Sequence, residues 1–93
     1  MAVSIRIPTI LRTYTDGASE VTVEPSTPTL AGVIDALEGA APGISARVLD
    51  ESGQLRRFVN IYVGDEDVRF TDGLNTPVKA GSTVSVIPAV AGG

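Results

Sequence analysis

The segment TPTLAGVIDALEG, residues 27–39, decides the fold of this 93-residue chain. Its apolar residues recur three and four positions apart, the spacing that puts them on one side of an α-helix; they are Leu30, Val33, Ile34 and Leu37. Thr27 is a suitable N-cap, Pro28 fits the first helical position, and Gly39 suits the residue just past the end. The sequence therefore predicts one main helix here.

Strands are predicted on the N-terminal side of this helix. Apolar and polar residues alternate at Val3, Ile5 and Ile7, and they alternate again over residues 20–24. Such alternation is typical of strands with one buried face. Asp16-Gly17 lies between the two segments and is a strong turn signal. We predict that the two strands form a hairpin.

The C-terminal half is predicted to hold a short second helix and three strands. The short helix falls in GISARVLD, residues 43–50, and a polar loop covers residues 51–57. FVNIYV, residues 58–63, is rich in β-branched and aromatic residues and is the clearest strand. Gly64-Asp65 suits a tight turn into a short strand at residues 67–70. Residues 71–81 have room for one helical turn, and residues 83–88 form the last strand.

The order of these elements favours an α+β fold. A helix between two hairpins predicts one main helix packed across a mixed sheet of about five strands, with a short second helix beside it. The first and last strands are then expected to be parallel neighbours at the centre of the sheet. Val84 and Val86 are expected to point into the core.

Composition excludes several classes of function. The chain has no Cys and no His, and its only lysine is Lys79. It therefore lacks the thiolates, the imidazole bases and nearly all zinc ligands on which many enzymes depend. The acidic run at residues 65–67 lacks the spacing of a calcium loop. We expect a protein that is not itself an enzyme and that holds no metal.

Charge and hydropathy restrict the partners. The net charge is −4 and the seven basic residues are spread along the chain, a pattern that does not favour nucleic-acid binding. No apolar run is long enough to span a bilayer, and no signal segment opens the chain. We expect a cytoplasmic protein that does not bind membranes and is a monomer when free.

Strand alternation predicts a partner-binding surface. If the apolar residues at 59, 61 and 63 face the core, Phe58 and Tyr62 face the opposite side of the sheet. By the same logic Ile87 points outward beside the inward valines of the last strand. An exposed apolar patch of this kind is typical of an interface. The alternative is a bulged strand, or loops that cover these side chains.

The chain ends in AVAGG, residues 89–93, and we predict a folded domain over residues 1–88 followed by a flexible tail. Five extended residues reach roughly 15–18 Å. Glycine has no side chain to obstruct a narrow channel, so Gly92 and Gly93 suit insertion into a partner's active site. The group delivered there is the α-carboxylate of Gly93. The alternative is a flexible end with no role.

The strand–strand–helix order and four segments together resemble the ThiS/MoaD family of ubiquitin-like sulfur carriers. The segments are TLAGVIDAL, VNIYVGDEDVRF, AGSTVSVIPAVAGG and the terminal Gly-Gly. IPTILR and RFVNIYV are most similar to the actinobacterial carriers of cysteine biosynthesis. The resemblance covers nearly the whole chain and implies a β-grasp fold. It also places Gly92 and Gly93 at the family's terminal pair, and Ile87 at a partner-facing apolar position.

The resemblance further implies the chemistry. A ThiF/MoeB-type enzyme would adenylate Gly93 with ATP and Mg²⁺, and a sulfur donor would convert the adenylate to a thiocarboxylate. The carrier needs no cofactor of its own. The expected acceptor is a pyridoxal-phosphate-dependent cysteine synthase, with a metalloprotease to release the product. The alternatives are a small subunit of molybdopterin synthase, a carrier for thiamin or another natural product, a ubiquitin-like protein modifier, and a plain interaction domain.

Overall fold

A computed structural model describes residues 1–88 of the chain and shows one mixed five-stranded sheet. The strand order is β2-β1-β5-β3-β4. The central pair, β1 and β5, is parallel, and the other neighbours are antiparallel, as the sequence predicted. The strands are β1 Val3–Arg6, β2 Glu20–Val23, β3 Val59–Val63, β4 Glu66–Asp67 and β5 Thr83–Pro88. The predicted tail with Gly92 and Gly93 lies outside the described residues.

The main helix, α1, spans Leu30–Ala40, and its predicted apolar stripe is buried against the sheet. On the sheet side of this contact, the core contains Ile5 on β1, Ile61 on β3 and Val84 on β5. The predicted short helix is also present, as α2 over Ser45–Val48. Within residues 1–88 no helix is both long and apolar enough to cross a bilayer.

The predicted boundaries of α1 were wrong at both ends. The N-cap is Thr29 and not Thr27: the Thr29 hydroxyl accepts a hydrogen bond from the Gly32 N–H at 3.3 Å. The residues before it cannot join the helix because they are held extended against residues 76–78. There the Leu30 N–H donates to the Thr76 carbonyl at 3.0 Å, and the Val78 N–H donates to the Pro28 carbonyl at 2.9 Å.

At its other end, α1 continues past the glycine that was expected to terminate it. Gly39 lies inside the helix, and the C-cap is Ala41. The preceding Glu38 side chain then organises the connection to α2, since its carboxylate accepts the N–H groups of Gly43 and Ser45, both at 2.9 Å. The hydrogen bond from the Gly43 N–H, with those from Ser45, lowers the pKa of Glu38 below its ordinary value of 4.5.

Two segments differ from the predicted secondary structure. Thr9–Thr15 forms a 3-10 helix that was not predicted, and it buries Leu11 in the core before the expected turn at Asp16. The strand predicted at residues 67–70 is shorter, since a 3-10 turn at Val68–Phe70 follows β4. Val68 is fully buried there, and this inward turn ends the pairing with β3. The helical turn expected within residues 71–81 is present at Gly73–Asn75.

The sheet has a face covered by α1 and an opposite side, which we call the open face. The inward residues of β3 and β5 alternate with residues of the open face, as predicted. Pairing of the two strands sets Asn60 beside Ile87 and Tyr62 beside Ser85. On β1, Arg6 takes the corresponding outward position and pairs with Ser85. These five residues form the middle of the open face.

Candidate functional site

The described chain ends at the centre of the sheet. β5 is hydrogen-bonded to β1 on one side and to β3 on the other, and Pro88 pairs with Val59 at the end of that ladder. Pairing with β1 reaches Ser85 and pairing with β3 continues to Pro88, so the strand gives the backbone at Pro88 a defined position and direction. Any segment that follows Pro88 therefore starts from a fixed place on the fold, beside the open face.

The predicted apolar surface is accessible to solvent but is not one continuous patch. Ile87 is 47% exposed, whereas its neighbour Val86 is 6% exposed. Ile87 and the half-buried Tyr62 line the same shallow depression on the open face. Phe58 is 60% exposed, precedes β3 and does not line that depression. The structure therefore brings Tyr62 and Ile87 together and sets Phe58 apart, and their role in partner binding stays a prediction.

Arg69 holds the segment that carries Phe58, and the sequence analysis did not single out this residue. The guanidinium of Arg69 donates to three backbone carbonyls and to a side-chain amide oxygen. The acceptors are the carbonyls of Arg56 at 2.8 Å, Arg57 at 3.3 Å and Val59 at 2.8 Å, and Oδ1 of Asn60. A guanidinium carries five N–H donors in one plane, so a single arginine can bind several acceptors at once. The contact joins residues 9 to 13 positions apart, so no local sequence signal could have predicted it.

Two further arginines lie where β5 ends. A cleft at this end of the sheet is lined by Arg6, Arg12 and residues 85–88. Arg12 is fixed in part, since its Nε donates to the Ile7 carbonyl at 3.1 Å. The two arginines are six positions apart in the sequence, and the unpredicted 3-10 helix is what returns Arg12 to the side of Pro88.

Other exposed apolar side chains were also missed by the sequence analysis. Phe70 is 88% exposed and Ile10 is 73% exposed. Phe70 follows Arg69 directly, so the 3-10 turn that presents Phe70 is tied to the segment that presents Phe58. In the described part of the chain, no group of three or more acidic side chains is arranged to hold a metal ion.

Comparison with known proteins settles the family. The sequence model of the ThiS family matches residues 5–93. The chain belongs to the ThiS family. As a ThiS-family member it has the β-grasp fold, in agreement with its mixed sheet and the helix packed across it.

Sulfur carrier protein CysO of Mycobacterium tuberculosis is a full-length relative of this ThiS-family chain. It is 53% identical over 95 residues, which cover 100% of both chains. The crystal structure of CysO from that organism superposes with a TM-score of 0.86 at 51% identity, covering 95% of this chain and 99% of the other. The fold and the sequence thus agree over essentially the whole length.

Two further proteins are also similar to this chain. A chain in the crystal structure of the BexX/CysO complex of Amycolatopsis orientalis matches with a TM-score of 0.88 and 49% identity, covering 98% of this chain and 99% of that one. Small archaeal modifier protein 3 of Haloferax volcanii is 35% identical over 65 residues, 70% of each protein.

Proposed function

We propose that this chain is a cytoplasmic sulfur carrier for cysteine biosynthesis, a protein substrate and not an enzyme. The structural observation that carries the proposal is the end of β5, which fixes Pro88 at the centre of the sheet with five residues ending in Gly92-Gly93 still to follow. The full-length identity to CysO supports the same function. The carrier brings no cofactor to the reaction, and ATP and Mg²⁺ belong to its activating enzyme.

The proposed loading reaction takes place at the carboxylate of Gly93. A carboxylate oxygen attacks the α-phosphorus of ATP in a ThiF/MoeB-type enzyme, which forms the acyl-adenylate and releases pyrophosphate. A sulfide equivalent from the sulfur donor then attacks the acyl carbon and AMP leaves. The product is a thiocarboxylate on Gly93. Since the chain contains no cysteine, its own side chains offer no thiol to carry the sulfur.

The proposed transfer reaction uses the same end of the chain. The thiocarboxylate sulfur adds to the electrophilic carbon that a pyridoxal-phosphate-dependent cysteine synthase generates from an activated serine. After the product is released from the cofactor, its free amine attacks the acyl carbon and the acyl carbon–sulfur bond breaks, so that cysteine, with a free thiol, is left in amide linkage to Gly93. A metalloprotease hydrolyses that amide, which frees cysteine and restores the carboxylate. The three enzymes would each meet the depression lined by Tyr62 and Ile87 and, separately, the exposed Phe58.

Deletion of Gly93 tests the loading reaction. Removing one residue draws the terminal carboxylate back by about 3.5 Å, and a misplacement of 1 Å can already cost about a hundredfold in rate. We expect pyrophosphate release by a cognate activating enzyme to fall at least a hundredfold, while the melting temperature stays the same. Ala91→Gly is the matched control, because it changes the tail without moving its end. Undiminished release from the shortened chain would refute the proposal.

A second experiment identifies the acceptor. The thiocarboxylated protein is mixed with a cognate cysteine synthase and O-phosphoserine, and the intact mass is recorded. We expect an adduct of one cysteine, which the metalloprotease then removes. If no adduct forms and sulfur passes instead to a molybdopterin or thiamin precursor, the chain is a carrier for that pathway.

Protein modification is a second candidate function, favoured by the similarity to small archaeal modifier protein 3. In that case the activated Gly93 would form isopeptide bonds with lysines of other proteins. The two functions differ in the product of the adenylated chain. Amide-linked conjugates in cells that express the chain would support modification, and conjugates should be absent when Gly93 is deleted.

A further inference from the structure

Three arginines lie around the last residues of β5. At the end where β5 finishes, Arg6 and Arg12 line the cleft beside Pro88. Arg69 lies at the same end, because its hydrogen-bond acceptors Val59 and Asn60 pair with Pro88 and Ile87. This basic end belongs to a chain of net charge −4.

The acidic run at residues 65–67 lies across the sheet from Arg6. Arg6 pairs with Ser85, Ser85 with Tyr62, and Tyr62 with Asp67, so three interstrand spacings separate Arg6 from β4. Three such spacings amount to about 14 Å. This separation exceeds the Debye length of about 8 Å at physiological salt. A partner that approaches the end of β5 therefore responds to the arginines more than to the net charge.

Within the described residues, Arg6 and Arg12 form no ion pair shorter than 4.0 Å. Glu20 is an acidic neighbour, since it pairs with Arg6 across β1 and β2 and lines an adjoining cleft with both arginines. Over residues 1–88 the ion pair within 4.0 Å is the N-terminal amine of Met1 with Glu24, at 3.7 Å. Arg12 uses Nε to bond the Ile7 carbonyl. Its two terminal nitrogens make no hydrogen bond in that part of the chain.

We propose that Arg6 and Arg12 form a docking site for an acidic protein surface, namely the rim of the channel that admits the tail. This inference rests on the proposed function and specifies the partner. Carboxylates on the rim would pair with the two guanidiniums, which favour bidentate geometry. The arginines and the acidic run, on opposite sides of the sheet, would then orient the approaching carrier, with Arg6 and Arg12 toward the channel and the acidic run away from it. Charge arranged in this way accelerates encounter and fixes orientation.

The test uses the full chain and its cognate ThiF/MoeB-type activating enzyme, with pyrophosphate release measured over a series of salt concentrations. The double variant Arg6→Gln/Arg12→Gln is compared with wild type. Lys79→Gln is the matched control for one lost positive charge, since Lys79 is exposed and precedes β5 at the other end of the sheet. Unfolding is measured for every variant, because Arg12 also holds the Ile7 carbonyl.

We expect kcat/KM of the double variant to fall about five- to tenfold at low salt, with little change in kcat. The wild-type value should decline as salt rises and approach that of the variant, whose salt dependence should be shallower. Lys79→Gln should match wild type. Equal kcat/KM for wild type and a folded double variant at low salt would overturn the docking site.

Two further outcomes distinguish protein docking from nucleotide binding and from failure of the loading reaction. If ATP alone, titrated into the free carrier, shifts the amide NMR signals around Arg6 and Arg12, the arginines bind nucleotide phosphate and the acidic protein surface is refuted. If wild type itself releases no pyrophosphate, the proposed loading reaction fails, and the docking site that rests on it fails too. A loss confined to the double variant supports both proposals.

Discussion

Replacing Gly32 by alanine should destabilise the protein, although replacing a glycine inside a helix by alanine ordinarily raises stability. The gain in helix propensity is about 0.8–1.0 kcal/mol. At Gly32, however, an added Cβ would lie 3.0 Å from both the carbonyl carbon and the Cβ of Thr27, and closer still to the carbonyl oxygen. Contacts this short require the backbone before α1 to move.

That backbone is not free to move. The Thr27 carbonyl already accepts the N–H of Thr29 at 2.8 Å, and the Pro28 carbonyl accepts the N–H of Val78 at 2.9 Å. Overpacking of this kind costs about 1–3 kcal/mol. Contacts this short correspond to the upper part of that range, about 2–3 kcal/mol. After subtraction of the propensity gain of about 1 kcal/mol, we expect Gly32→Ala to lower the free energy of unfolding by about 1–2 kcal/mol. For a domain of this size the melting temperature would fall by about 5–15 °C.

Gly39 in the same helix is the matched control, because an added Cβ there has no neighbour within 4 Å. Gly39→Ala should stabilise the protein by about 0.5–1 kcal/mol through helix propensity alone. Urea unfolding followed by far-UV circular dichroism measures both variants. If Gly32→Ala is as stable as Gly39→Ala, the residues before α1 can move at little cost. That result would refute the predicted clash with Thr27.

The exposed apolar residues and Glu38 allow two further predictions. Ile87→Asp and Phe58→Asp should lower the melting temperature only slightly and weaken binding of the activating enzyme at least tenfold. Val86→Asp should instead unfold the domain, because a carboxylate would enter the core. Melting temperature and affinity measured on the same variants decide whether each residue is a surface or a core position. Hydrogen bonds to its carboxylate hold the pKa of Glu38 below 4.5 in the folded state, so its contribution to stability is full above the unfolded pKa and is lost as pH falls through the lower folded pKa. Glu38→Gln should therefore lose less stability than wild type between about pH 5 and pH 3, and parallel unfolding curves for the two proteins would contradict this.

Patterns of hydrophobic residues were sufficient to predict most of the fold. Periodicity alone predicts the apolar stripe on α1 and the outward position of Ile87. The order of the elements along the chain predicts the parallel central pair. Errors arose where tertiary contacts override local preference. Thr27 has the chemistry of an N-cap, but pairing of residues 28–30 with residues 76–78 delays the helix until Thr29 takes that position.

The charged part of the candidate site could not be predicted in the same way. Arg6 and Arg12 line one cleft, and Arg69 binds the start of β3 on the other side of β5, only because of strand register and an unpredicted 3-10 helix. Nothing in the local composition distinguishes Arg69 from a solvated arginine. Register is a property of the assembled sheet, so a surface that depends on three strands becomes visible only when the strands are paired.

The position of β5 has a consequence for biosynthesis. β5 occupies the middle of the sheet between β1 and β3, yet the ribosome makes it after all the other strands and helices of residues 1–88. A nascent chain without it has two separate strand pairs, β2 with β1 and β3 with β4, and no completed core. Contacts between the first and last strands are the most distant in sequence, and such contacts form slowly. The domain therefore folds only after β5 has been made, and a chain that stops before β5 has no assembled open face to present to a partner.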